Sequence, residues 1–259
     1  MKARFNHLLL LAASFVACGS LPLQASDLAA DFDAANKLYE ERKYSDAVAA
    51  YEKLERTHLA SPALYFNLGN AFFKSGQIGR AIVAYRQAES LAPRDPDVSA
   101  NLQFARNQIP GPATAPSRWQ RWLGTLTVNE WTKLAAAAFW LLFLFLAAGQ
   151  WRPTLQRRLR VYTASVGGAA VVLFACLGLA WHEQRSTKTA VVITREAVVR
   201  QGPLDEASET FAVHDGAELS VLDHKDNWLL VSAGNRQFGW LKRDAVVVMG
   251  EDSTRAKKS

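Results

Sequence analysis

Hydrophobic positions change their period twice along this chain of 259 residues. From Ser26 to Ile109 apolar side chains recur every three to four residues, which predicts amphipathic helices. From Trp131 to Trp151 and from Val161 to Trp181 polar positions almost vanish. From Thr189 onward apolar and polar residues alternate in short runs. These runs predict strands at Ala190 to Ile193, Ala197 to Arg200, Phe211 to His214, Glu218 to Leu222, Trp228 to Val231, Phe238 to Leu241 and Ala245 to Val248. Gly202-Pro203, Asp215-Gly216, Asp226-Asn227 and Gly234-Asn235 supply turns between them.

Each apolar stretch of about 21 residues is about 31 Å long as a helix, enough to cross a bilayer. A buried hairpin of a soluble bundle would keep a polar stripe, and these stretches have none. Residues 152–160 between them carry Arg152, Arg157, Arg158 and Arg160 without an acid, which predicts a short cytoplasmic loop. Small residues at Ala135 to Ala138 and at the Ala164/Gly168 and Ser165/Ala169 spacings predict close helix contact. The flanking regions then share the opposite side of the membrane. Charge follows this partition: residues 110–188 hold nine Lys and Arg against two acids, 26–109 ten against eleven, and 189–249 six against nine. The basic balance therefore belongs to the membrane-flanking region, which argues against a nucleic-acid partner.

Lys2 and Arg4 followed by the apolar run Leu8 to Cys18 predict a signal peptide over residues 1–25, cleaved after Ala25. Lipoprotein processing at Cys18 and an uncleaved anchor are the alternatives; Phe15 disfavours the first, and a run of eleven residues is short for the second. With Cys18 in the signal and Cys176 in a membrane helix, the exported regions have no thiol for catalysis. Pro110 to Pro116 is a stiff, Pro-rich linker. Over 118–130 the spacing of Trp119, Trp122, Leu123 and Leu126 beside Arg118 and Arg121 predicts a helix, lying along the membrane surface or packed under the helical domain. Residues 250–259 are expected to be a flexible tail.

An offset of 34 residues aligns Leu38 with Phe72, Ala47 with Ala81 and Tyr51 with Tyr85. That offset, with Tyr65, Leu68, Gly69, Phe72, Ala81, Tyr85, Ala88 and Pro93, resembles the tetratricopeptide repeat. Gly69 and Ala81 let the paired helices approach and Tyr85 fills the gap. The first copy is degenerate, with Ala35 in place of Gly and Leu59 in place of Pro, and Asp97 to Gln108 resembles a capping helix. The resemblance implies a partner-binding groove lined by Phe32, Asn36, Asn67, Asn70, Phe73, Lys74 and Asn101. Asn36 and Asn67 either hold a peptide backbone or are solvated or bonded to local backbone; Phe32 and Asp97 stand where relatives place cations for a terminal carboxylate, which argues against a carboxylate clamp.

The strand region resembles bacterial SH3-like domains through Val199-Arg200-Gln201-Gly202-Pro203, Asp215-Gly216, Trp228-Leu229-Leu230-Val231 and Phe238-Gly239-Trp240-Leu241. A small barrel is expected. Trp228, Phe238 and Trp240 are assigned first to its core, with a role as ligand surface the alternative. Glu206, Glu209, Asp223 and Asp226 would line an acidic groove on that surface, suited to basic peptides.

His214 and His224 flank acids without metal-site spacing and are expected in solvated loops; no phosphate loop, nucleophile elbow or paired carboxylate frame is present. Neither an enzyme nor a cofactor or metal is expected. The expected fold is an all-α tetratricopeptide solenoid, a two-helix transmembrane hairpin and a C-terminal all-β SH3-like barrel. That order, together with the stretch Tyr65 to Gln108, resembles the BatE proteins of the Bacteroides aerotolerance group. The resemblance implies a noncatalytic scaffold in the bacterial cytoplasmic membrane, both domains facing the periplasm, with von Willebrand A-domain membrane proteins and, indirectly, a MoxR-type ATPase as partners. An envelope-binding module docking on peptidoglycan is the alternative.

Overall fold

The computed structural model describes residues 22–57, 60–109, 118–151, 153–186, 188–234 and 237–250. The expected signal segment up to residue 21, Leu59, the Pro-rich linker and the tail expected beyond Gly250 lie outside the described residues. The chain divides into two units, 1–109 and 110–259.

The first unit is five helices: α1 Pro22–Glu40, α2 Tyr44–Arg56, α3 Pro62–Lys74, α4 Ile78–Leu91 and α5 Pro96–Arg106. Local sequence starts two of them in the same way, 34 residues apart. Ser61 accepts from the Leu64 N–H and Asp95 from those of Asp97 and Val98, and each is followed by proline at the first helical position. The turn within each helical pair also repeats. Gly76 N–H bonds to the Phe73 carbonyl and Gln77 N–H to that of Phe72; Arg42 N–H bonds to Tyr39 and Lys43 N–H to Leu38. Gly76 has φ +79° and Arg42 φ +60°, so the first pair makes a left-handed turn without glycine. At Gly69 an added Cβ would lie 2.6 Å from the Tyr85 ring, which is why α3 and α4 require glycine there. Ala35, Ala47, Tyr51, Leu54, Leu64, Leu68, Ala81, Ile82, Tyr85, Leu102 and Ala105 form the buried interior of the unit.

In the second unit α6 Arg118–Leu123 precedes the hairpin of α7 Val128–Trp151 and α8 Pro153–Ser186. Both hairpin helices are long and apolar enough to cross a membrane, α8 over Leu159–Glu183. Two expectations are corrected here. The short loop expected over residues 152–160 is helical from Pro153: α8 begins directly after residue 152, because proline suits a first helical position and nothing in Leu155 to Arg160 breaks a helix. The helices also do not meet through Ala164, Ser165, Gly168 and Ala169, which are exposed. The withdrawn positions include Trp131, Ala135, Ala138, Leu142, Phe145 and Gly149 on α7, and Thr163, Val166, Ala170, Leu173, Leu177 and Ala180 on α8, with Cys176 buried beside the second row. Both rows step by alternating three and four residues, the seam of two helices packed at a shallow left-handed angle. A Cβ added at Gly167 would lie 3.7 Å from Leu142, an ordinary van der Waals contact.

The seven predicted strands all form: β1 Lys188–Val192, β2 Glu196–Arg200, β3 Glu209–His214, β4 Glu218–Lys225, β5 Trp228–Ser232, β6 Phe238–Lys242 and β7 Val246–Val248. They make one antiparallel sheet in the order β3-β2-β6-β5-β4-β1-β7. The expected closed barrel is corrected: the ladder is open and ends at β3 and β7. It still curls around one core, because Ala190, Val199, Val213, Leu219, Val231, Leu241 and Val246 from all seven strands meet in a single cluster. The ladder is thinnest between β2 and β6, which pair only at Arg200 and Trp240. There a Cβ on Gly239 would stand 2.6 Å from the Arg200 carbonyl oxygen, so glycine allows the strands to cross closely.

Candidate functional site

The first helices of successive pairs, α1, α3 and α5, present the expected groove residues, and a repeating hydrogen-bonded triad ties them together. Asn36 Oδ1 accepts from the Tyr51 hydroxyl at 2.7 Å and from Asn67 Nδ2 at 2.9 Å. One period later Asn70 Oδ1 accepts from the Tyr85 hydroxyl at 2.8 Å and from Asn101 Nδ2 at 3.0 Å. Each triad joins both helices of one pair to the first helix of the next. The four asparagines thus gather at the groove, with both acceptor positions of Asn36 and Asn70 and one amide donor each of Asn67 and Asn101 used between the helices. Neither earlier reading of Asn36 and Asn67 described this, since the partners are side chains from neighbouring helices.

Burial pushes the Tyr51 hydroxyl up to about 12, and pushes that of Tyr85 higher still. Both therefore stay protonated donors at neutral pH. The tyrosine rings are flanked in register, Phe32 against Tyr51 at 5.9 Å and Phe66 against Tyr85 at 6.2 Å. Phe73 contacts Phe104 at 5.4 Å, and Phe104 is 56% exposed. Lys74 is exposed beside them. The resulting surface alternates aromatic edges with amides, a face suited to an extended segment carrying apolar side chains. Phe66, Phe104 and the tyrosine hydroxyls were not singled out from sequence. The 34-residue offset already related Tyr51 to Tyr85 and would have related Asn36 to Asn70 and Asn67 to Asn101 had it been carried to polar positions.

The second candidate surface, on the sheet, differs from its expectation. Trp228, Phe238 and Trp240 are outside the core: their alternating neighbours Leu229, Val231, Gly239 and Leu241 are the buried ones, so the three aromatics point from the outer face. Register sets Trp228 opposite Lys242, Leu230 opposite Trp240 and Ser232 opposite Phe238. Phe238 is 65% exposed. The Lys242 ammonium lies 5.5 Å from the Trp228 ring centroid and 2.6 Å from Asp205, while Arg200 pairs with Glu209 at 3.5 Å. Basic partners therefore interrupt the expected acidic groove. Glu206 is exposed near them in the β2–β3 connection, whereas Asp223 and Asp226 sit along the β4–β5 hairpin, Asp226 at φ +51° in its turn. His214 and His224 are exposed on β3 and β4 rather than in loops. Among the described residues no three His, Cys, Asp or Glu side chains gather as a metal site would need.

Residues 62–95 match the tetratricopeptide repeat family. The chain therefore contains such a repeat, spanning α3, α4 and the turn that follows, and repeats of this kind mediate contacts between proteins. No curated protein matches the chain.

Proposed function

We propose that this chain is a noncatalytic, membrane-anchored scaffold that binds a protein partner along the face of α1, α3 and α5. The observation that carries the proposal is the conjunction of a tetratricopeptide repeat with an open aromatic and amide face, in a chain holding two helices able to cross a membrane. Buried tyrosine side chains bonded to half-buried asparagines hold the face rigid, so a bound segment loses little free energy to ordering the site. In this reading the hairpin crosses the bacterial cytoplasmic membrane, the segment bearing Arg157, Arg158 and Arg160 lies at its cytoplasmic side, and both folded regions face the periplasm. The resemblance to BatE proteins supplies the partner class: von Willebrand A-domain membrane proteins, with a MoxR-type ATPase reached through them, in a complex linked to oxidative-stress tolerance.

The test is recovery of partners with the tagged full-length chain from crosslinked native membranes. Phe104→Ser with Lys74→Glu alters the exposed face and leaves both triads in place, so it should lose the partner while the protein remains folded. Retention of every partner by that variant would exclude the groove as the working surface. A second reading is favoured by the outward Trp228, Phe238 and Trp240: the SH3-like region docks on peptidoglycan or a peptide. Sedimentation of the detergent-solubilised full-length protein with purified cell wall, lost on Phe238→Ser with Trp240→Ser, would support it.

A further inference from the structure

The corner where α6 meets the hairpin is a built feature. Leu123, Trp131, Cys176 and Ala180 form one buried cluster joining α6, α7 and α8, with Leu177 packed against it. The Trp131 indole N–H donates to the Leu123 carbonyl at 3.2 Å. Thr127 and Glu130 bond reciprocally at the start of α7, Glu130 N–H to Thr127 Oγ1 and Thr127 N–H to Glu130 Oε2. Held in this way, α6 does not follow the single helix expected over 118–130. It ends at Leu123, with Gly124 and Thr125 in the turn before α7.

At about 100° per residue, Leu123, Trp119, Trp122, Arg118 and Arg121 succeed one another around α6. Its surface thus grades from buried, through the Trp119–Trp122 stack at 5.0 Å, to two exposed guanidinium groups. Neither Arg118 nor Arg121 has an ion-pair partner among the described residues. Below this corner a cleft of about 250 Å³ opens between α7 and α8, lined by Thr132, Ala135, Ala136, Phe139, Phe174 and Leu177, with Trp140 at its side. Leu177 belongs to both the cleft and the packing under α6.

We propose that this corner binds one anionic phospholipid, its phosphate at Arg118 and Arg121 and an acyl chain in the cleft. The inference rests on the membrane-spanning reading of α7 and α8. Charge selects the occupant: a partner's apolar helix would fill the cleft but leave both guanidinium groups without an anion, whereas a phospholipid meets both requirements in one molecule. Trp119 and Trp122 occupy the intermediate depth where amphipathic rings are favoured.

The test reconstitutes the full-length protein in vesicles of equal phosphatidylcholine and phosphatidylglycerol, then counts retained lipids by native mass spectrometry after mild detergent extraction. Wild type should retain phosphatidylglycerol preferentially, and Arg118→Gln with Arg121→Gln should lower that preference by about 30-fold. Ala136→Trp, which fills the cleft from an exposed position, should lower retention of both lipids. Equal retention of the two lipids by wild type, an unchanged preference in the arginine variant, or a crosslink from Phe174 to a partner polypeptide in place of lipid would overturn the proposal. A carbonate wash of native membranes separates the two levels. Release of the protein removes the membrane-spanning reading together with this inference, while an integral protein without lipid preference removes the inference alone.

Discussion

The two helical pairs of the first unit reach the same geometry from different residues. Gly69 and Gly76 of the second pair correspond to Ala35 and Arg42 of the first, yet Ala35 is fully buried and Arg42 with Lys43 makes the same pair of turn hydrogen bonds as Gly76 with Gln77. What the pairs share is the Asn–Tyr–Asn triad. A repeat thus tolerates departures at its backbone-sensitive positions when side-chain hydrogen bonds between successive helices fix the spacing. Changes at corresponding positions should still carry different costs in the two pairs, and hydrogen–deuterium exchange of peptides from each helix reads them separately.

The largest difference is expected at the glycine facing the tyrosine. Gly69→Val forces a side chain into the Tyr85 ring and should destabilise α3 and α4 by about 3 kcal/mol, whereas Ala35→Gly should cost about 1 kcal/mol. Equal effects would show that the second pair has room that its contacts do not reveal. Next come the shared acceptors. Asn70→Ala leaves the Tyr85 hydroxyl and the Asn101 amide without their common partner and should cost about 2 kcal/mol, and Asn36→Ala should match it. Faster exchange in one pair only would break the equivalence of the triads.

Alkaline pH probes the same network more gently. The folded pKa values of Tyr51 and Tyr85 lie above the ordinary value of 10.0, so the unfolded chain loses its protons first. Their contribution is complete below pH 10, falls as pH rises from 10 to about 12 for Tyr51, and continues to fall above that for Tyr85. Tyr51→Phe with Tyr85→Phe should flatten the loss of exchange protection over this range, and an undiminished slope would assign the alkaline sensitivity elsewhere. The smallest effect is a gain: Arg42→Gly relieves a left-handed backbone and should slow exchange in α1 and α2 by about 0.5 to 1 kcal/mol. Faster exchange would mean that the Arg42 side chain contributes more than its backbone costs.

Legibility differed by region for physical reasons. In the repeats, helix pairing follows from a 34-residue period and small residues opposite large ones, so Gly69 against Tyr85 could be read directly. Asn36 and Asn67 could be located on the groove but not given their partners, since a hydrogen bond across 15 or 31 residues depends on how successive pairs stack. In the hairpin the apolar character that identified both helices concealed their contact. When every face is apolar, only packing selects Thr163, Val166 and Ala170 over the neighbouring row of small residues.

The sequence alone determined the seven strands, the two apolar helices, the repeat period and the turn positions, because each depends on local periodicity and backbone preference. Tertiary structure decided whether the sheet closes, which face Trp228, Phe238 and Trp240 occupy, and which amides remain for a partner. Alternation states that a strand has two faces without stating which one the core will take. That choice is made by the other six strands, through the shared burial of Val199, Leu219, Val231 and Leu241.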